Sequence, residues 1–354
     1  MSDDRSSPDR PDPERGGEDG LVRAIRELAS RAGVGDGVRV GIGDDCAVLA
    51  TTPGTALLAK TDLLIEDVHF RRRWATPTDI GWKSLAVNVS DIAAMGGRPR
   101  WGLIALACPD TVTVEEAEAF YAGVQALATE HDVVIVGGDT CASPQGWIIN
   151  VTLLGEAIRD PLLRSTARAG DVIAVTGSLG RAAAGLALLE ANPVPAGLAG
   201  DARADVTAAH LRPRPRTREG LWLGEAGGVT AMIDLSDGLA TDLGHLCEES
   251  AVGARVDLAR IPVDGSVREV ARALGRDAVH WATGGGEDYE LLLTCAPDAF
   301  DRLAGGLARA TGTALTALGE MMPAADGIRY LDACGEPVSI GPGFEHFVTG
   351  RGRA

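Results

Sequence analysis

Aspartates set at the ends of short apolar runs or beside glycine constrain this chain more than any other feature. They stand in Gly43-Asp44-Asp45, Lys60-Thr61-Asp62, Asn88-Val89-Ser90-Asp91, Gly137-Gly138-Asp139-Thr140 and Asp234-Leu235-Ser236-Asp237-Gly238. A later Gly284-Gly285-Gly286-Glu287-Asp288 adds two acids. An acid in such a frame belongs at a strand end or tight turn, so the pattern requires strands, turns and helices in alternation. Mg²⁺ takes hard oxygen ligands and is usually held by a few carboxylates plus substrate phosphates. The array therefore points to metal-assisted phosphate chemistry.

Periodicity supplies the frame. The spacing predicts a helix over Leu21–Ala32, strands over Val38–Ile42 and Ala56–Ala59, and a helix over Thr78–Met95 that closes at Gly96-Gly97. It then predicts a strand at Leu103–Ala107, a helix at Val114–Glu130, and strands at Val133–Val136, Ile148–Leu154 and Val172–Val175. Residues 191–216, with four prolines, read as a long surface connection. Strands and helices alternate to the end, which predicts an α/β (α+β) protein of two domains. Residues 1–18 are too polar to bury and are expected to be a disordered tail. The change of character near residues 156–169 divides a domain over 19–157 from one over 158–350.

Composition removes several function classes. A net charge of −17 opposes binding to nucleic acid or an anionic membrane. Six cysteines without a C-x-x-C read as reduced thiols of a cytoplasmic protein. No run of about 18 apolar residues could span a bilayer. The chain has no G-x-x-x-x-G-K-[ST], G-x-G-x-x-G, H-E-x-x-H or G-x-S-x-G, so phosphate would be handled by acids and metal. Lys60 and Lys83 are the only lysines.

Each frame taken alone also suits a turn or a cap. Asp237 or Ser236 could cap a helix, and Gly-Asp pairs are common in surface turns. Asp91 is the strongest single candidate. It lies in an otherwise apolar helix with Asn88 on the same face, and a buried face carries such groups only when they are satisfied. The Thr283–Glu290 segment suits a donor-rich organic group such as an amino-heterocycle. His69 falls in a loop after Asp62.

Taken in order, GIGDDCAVL, KTDLLIEDVHF, KSLAVNVSDIAAMGGRP, VGGDT, IDLSDGLATDLGHLCEES and GGGEDYELLLT resemble the thiamine-monophosphate kinase family, from about Leu21 to Phe347. That family lies in the ATP-binding superfamily of aminoimidazole ribonucleotide synthetase and selenophosphate synthetase. The resemblance implies homodimers of two α/β domains, with N-terminal sheets joined across the two-fold axis. It implies several Mg²⁺ ions and ATP as co-substrate, with transfer of the γ-phosphoryl group to thiamine monophosphate as the last step of thiamine diphosphate biosynthesis. By motif, Asp45, Lys60, Thr61, Asp62, Asp91, Asp139, Asp234 and Asp237 would stand at metal positions, Lys60 only through its backbone carbonyl. Thr61, Gly138, Asp139, Arg164 and Ser236 would contact ATP. His69, Glu287 and Phe344 would contact thiamine monophosphate, and Asp91, Asp139 and Arg164 would carry catalysis. Lys60 stands where many relatives have Ser or Thr, and Phe344 where Tyr or Trp is common. Selenophosphate synthesis needs a reactive Cys or Sec in an N-terminal loop, and residues 1–40 contain no cysteine.

Overall fold

The computed structural model describes residues 36–42, 46–195 and 197–341. The Leu21–Ala32 helix, the 1–18 tail, Asp44, Asp45 and Phe344 lie outside the described residues. The chain forms two compact units. One holds the described residues up to Ala50, Leu63–Ser84 and Gly102–Val151; the other holds Thr51–Asp62, Leu85–Trp101 and the described residues from Thr152 onward.

Strands β1 (Val38–Val40) and β2 (Val48–Leu49) pair antiparallel. Strands β3 (Ala56–Ile65), β4 (Arg98–Cys108), β5 (Val134–Ala142) and β6 (Ile148–Ala157) form a four-stranded sheet in the order β3-β6-β4-β5. The helix α1 (Pro77–Ala94) starts where Asp79 accepts the backbone N–H and the hydroxyl of Thr76. It buries Leu85, Ala86, Val89, Ile92 and Ala93. Helix α2 (Val114–Glu130) begins with a reciprocal Thr113–Glu116 capping box.

The second unit is built on a seven-stranded sheet. Its order is β13 (Pro337–Val338), β12 (Ile328–Leu331), β9 (Val252–Asp257), β11 (Leu315–Pro323), β7 (Val172–Thr176), β10 (Leu291–Cys295), β8 (Val229–Asp234). Only the β12–β9 pair is parallel among these neighbours. Alternation along the inner strands buries both faces. Ile173, Val175, Ile233 and Leu292 pack with Leu239, Leu243 and Leu246 of α6 (Leu239–Ser250). Ala174, Met232, Leu291 and Leu293 pack with Leu223 of α5 (Thr217–Ala226) and with Leu303 and Leu307 of α9 (Pro297–Thr311). A smaller helical core joins α3 (Arg181–Glu190), α4 (Gly200–Leu211), α7 (Gly265–Leu274) and α8 (Ala278–Gly284). The unit is thus α/β with helices on both sheet faces.

Three sequence expectations change. Strand β3 runs six residues beyond Ala59, so Lys60, Thr61 and Asp62 lie within a strand rather than at its end. Strand β5 continues to Ala142, so Gly137-Gly138-Asp139 is strand and not a βα turn. Residues 191–216 are not all irregular, because α4 buries Ala202, Val206 and His210. Proline density masked that helix, yet every proline of the stretch falls outside it.

Candidate active site

The period of two in β3 decides which side chains can meet. Leu58 and Leu64 are buried, and Lys60 and Asp62 share their face. Asp91 reaches the same place from α1. The Lys60 ammonium lies 3.2 Å from Asp62 Oδ1 and 3.1 Å from Asp91 Oδ2. Thr61 points to the opposite face, where its hydroxyl meets that of Thr152 at 3.2 Å. An ion held by Asp62 could therefore reach Thr61 only through the backbone.

Asp234 closes the cluster from the end of β8. It is 4% exposed and accepts a 2.6 Å hydrogen bond from Ser90 Oγ, one residue before Asp91. Burial pushes Asp91 up to about 8, and the charge of Asp234 adds to this against the pull of Lys60. Burial also raises Asp234, opposed by the Ser90 hydrogen bond, by Lys60 and by Arg164. For Lys60, burial works downward, but Asp91 and Asp62 outweigh it and hold the ammonium above its ordinary value. Burial disfavours the ionised forms of Asp91 and Asp234, and a hard cation bound between them and Asp62 would hold them ionised. These oxygen donors are of the kind Mg²⁺ takes, although among the described residues the ligand atoms that already lie within 4.8 Å of one another are those of Asp237, Asp242 and His245.

A second acidic group adjoins Asp234 in sequence. Ligand atoms of Asp237, Asp242 and His245 lie within 4.8 Å of one another. Asp242 is buried and accepts the N–H groups of Asp237 and Gly238 at 3.1 and 3.0 Å. Burial, Asp234 and Asp237 push it up to about 8 despite those two bonds. Asp242 escaped the sequence reading, although an Asp in the first turn after Ser-Asp-Gly is a capping signal.

The Gly-rich segment lies against the Asp234–Gly238 turn. Glu287 donates its backbone N–H to the Ser236 carbonyl at 2.7 Å, and Tyr289 donates to that of Leu235 at 2.9 Å. A Cβ on Gly286 would come within 2.5 Å of the Ser236 carbonyl oxygen, so only glycine allows this approach. Glu287 itself has φ 69°, in the left-handed region. Asp288 turns the other way and accepts the N–H groups of Gly180 and Ala182, at 2.6 and 3.1 Å. It caps α3, whose own N-cap Gly180 has no side chain to do so. Burial pushes Asp288 up to about 7.

That shift has a measurable consequence. A carboxyl raised in the folded state binds more protons there, so its stabilising contribution is full below the unfolded value near 4 and is lost as pH rises through about 7. Asp288→Asn keeps an acceptor for α3 but cannot ionise. Its urea midpoint is expected to fall less than that of the unmodified chain between about pH 6 and about pH 8.5. Equal slopes would remove Asp288 from the pH response.

The remaining predicted residues are placed as follows. Arg164 is exposed, its carbonyl accepts Ser250 Oγ at 2.7 Å, and its charge acts on Asp234. Gly138, Asp139 and His69 belong to the first unit. Asp139 is exposed on β5 and accepts the Thr140 N–H at 2.9 Å. A Cβ on Gly138 would stand 2.0 Å from the Ile104 carbonyl oxygen of β4, so strand packing alone requires this glycine. His69 Nδ1 accepts the Ile65 N–H at 3.0 Å, which leaves its hydrogen on Nε2. The buried Lys83 ammonium donates to the His69 carbonyl at 3.3 Å.

This fold and acid cluster belong to the AIR synthase related class. Its N-terminal domain model matches residues 43–157 and its C-terminal domain model matches residues 168–331. Within that class, the thiamine-monophosphate kinase of Escherichia coli O157:H7 is 39% identical over 322 residues, covering 88% of this chain and 93% of that relative. The crystal structure of thiamine-monophosphate kinase from Stenotrophomonas maltophilia K279a superposes with a TM-score of 0.78 at 38% identity, covering 89% of this chain and 96% of that one. AaThiL complexed with AMPPCP and TMP gives a TM-score of 0.74 at 31% identity, covering 94% and 97%. The chain belongs to the thiamine-monophosphate kinase family.

Proposed function

We propose that this chain phosphorylates thiamine monophosphate to thiamine diphosphate, taking the γ-phosphoryl group of ATP and releasing ADP. The observation that carries the reading is the convergence of Asp62, Asp91, Asp234 and Ser90 in a chain related over nearly its whole length to thiamine-monophosphate kinases. AaThiL, similar over 94% of this chain, binds an ATP analogue together with TMP. The reaction is the last step of thiamine diphosphate biosynthesis.

The acceptor is already an anionic phosphate oxygen, so the chain needs neither a strong base nor a covalent nucleophile. Its task is in-line positioning and charge neutralisation. Asp62, Asp91 and Asp234 would hold Mg²⁺, with Asp45, Asp139 and Asp237 as further ligands and Thr61 reached only through its backbone. Bound there, Mg²⁺ would neutralise phosphate charge and orient the two phosphates. Ser90 fixes the rotamer of Asp234. Gly138, Asp139, Arg164 and Ser236 would contact ATP, with Arg164 offering positive charge to the transferred group. His69 would present its Nε2–H to the acceptor, Glu287 would read the donor-rich ring, and Phe344 would stack on it.

Cytoplasmic location fits this chemistry, and no helix among the described residues is long and apolar enough to cross a membrane. The chain would work as a homodimer. On β3, Leu57 is 54% and Leu63 47% exposed, on the face that also carries Ala59 and Thr61. A second copy of the sheet would cover these side chains. The working domains are taken as 19–157 and 158–350.

Incubation with ATP, Mg²⁺ and thiamine monophosphate, followed by chromatography, is expected to yield thiamine diphosphate, with none formed when thiamine replaces the monophosphate. With chirally labelled ATP, direct transfer predicts inversion at phosphorus; retention would indicate a phosphoenzyme.

Lys60 adds a feature of its own. Its ammonium competes with any cation for Asp62 and Asp91. Lys60→Ala is therefore expected to lower the Mg²⁺ concentration for half-maximal rate and to lower the thermal midpoint of the metal-free protein. A higher Mg²⁺ requirement would instead mean that Lys60 assists the phosphates.

A further inference from the structure

We propose that His210 is a positioning residue that fixes the Glu287 carboxylate for the acceptor, an inference that rests on the reading of Glu287 as the group that binds the acceptor's donor-rich ring. His210 is 6% exposed, and its Nδ1 lies 3.1 Å from Glu287 Oε2. An ionised carboxylate only accepts, so Nδ1 carries the hydrogen and donates it.

The backbone around Glu287 is fixed on every side. Its N–H is held by the Ser236 carbonyl, Tyr289 by that of Leu235, and Asp288 by two amides at the start of α3. The Glu287 side chain is not fixed by those bonds. It is partly exposed, leaves a left-handed backbone and has three rotatable bonds. Holding such a chain before the ligand arrives removes an ordering cost from binding.

His210 is itself rigid. It lies on α4, which meets α3 so closely that a Cβ on Gly185 would stand 2.1 Å from the Val206 carbonyl oxygen and 3.0 Å from His210 Cβ. Unlike lysine or arginine, histidine can present an N–H without a permanent positive charge. A donor without permanent charge leaves the carboxylate able to accept from an amino-bearing ring.

The test is steady-state kinetics with ATP and thiamine monophosphate on four variants: His210→Ala, His210→Asn, Glu287→Gln and the double His210→Ala/Glu287→Gln. Removing a charge-assisted hydrogen bond should raise KM for thiamine monophosphate about tenfold in His210→Ala, with kcat and KM for ATP changed by less than about twofold. His210→Asn places an amide N–H near the Nδ1 position and should stay within about threefold. The double variant should be no worse than Glu287→Gln alone. Val206→Ala, a buried position on the same helix, should lower the thermal midpoint and leave KM for thiamine monophosphate unchanged. An unchanged KM in His210→Ala, equal rises for both substrates, or losses that multiply in the double variant would overturn the positioning role. If Glu287→Gln leaves KM for thiamine monophosphate unchanged, the acceptor role of Glu287 falls first. If only His210→Ala is silent, that role stands and the inference about His210 fails.

Discussion

Asp91→Asn is expected to lower turnover by at least about 10²–10³-fold, the scale of losing one group that stabilises transferred charge, while the fold remains as stable as before or becomes more stable. Asp91 sits in a desolvated space with Asp234 close enough to raise it, and its proton affinity is pushed up to about 8. Above that pH the folded protein holds a carboxylate that solvent would hold at less cost. An Asn has nearly the same shape and removes that charge. Lys60 loses one of its two carboxylates but keeps Asp62 at 3.2 Å. Because the native pKa is raised, the destabilisation is absent below about pH 4 and complete above about pH 8, so any gain from the Asn should be largest in alkaline solution. Activity and urea unfolding measured on the same preparation separate the cases. A large stability loss with turnover intact would assign Asp91 a structural role.

Arg216→Ala is expected to destabilise the chain by about 3–5 kcal/mol, the usual result of stripping one partner from a buried ion pair. Glu290 is 2% exposed, directly after the Gly-rich segment. It accepts both Nε and Nη2 of Arg216, and its Oε2 also accepts Thr176 Oγ1 at 2.7 Å. Without Arg216, the carboxylate is left with that one hydroxyl. Replacing both partners, as in Arg216→Met/Glu290→Leu, should recover much of the loss, since the buried charge is then gone. Equilibrium unfolding in urea checks both. A single-variant loss below about 1 kcal/mol would place the pair with ordinary surface bridges.

The sequence showed the acids more clearly than their surroundings. The helix over Val114–Glu130 was legible to the residue because its cap and its period agree. The helix around Asn88 and Asp91 was legible within a residue at each end. Strand lengths were not, because Lys60-Thr61-Asp62 and Gly137-Gly138-Asp139 look like turns until the neighbouring strands are present. Side-chain direction followed from strand length, which is how Thr61 separated from Asp62. Asp288 read as part of an acidic loop, whereas its amide partners at Gly180 and Ala182 lie more than a hundred residues away in sequence. His210 gave no signal, since its helix hides among prolines and its partner is 77 residues distant.

The most direct test is ADP release by the purified chain, measured with ATP and Mg²⁺ against a panel of acceptors. The account predicts release that depends on thiamine monophosphate, matches thiamine diphosphate formed one for one, and stops when Mg²⁺ is chelated. No turnover with thiamine monophosphate, together with turnover on another acceptor, would contradict it.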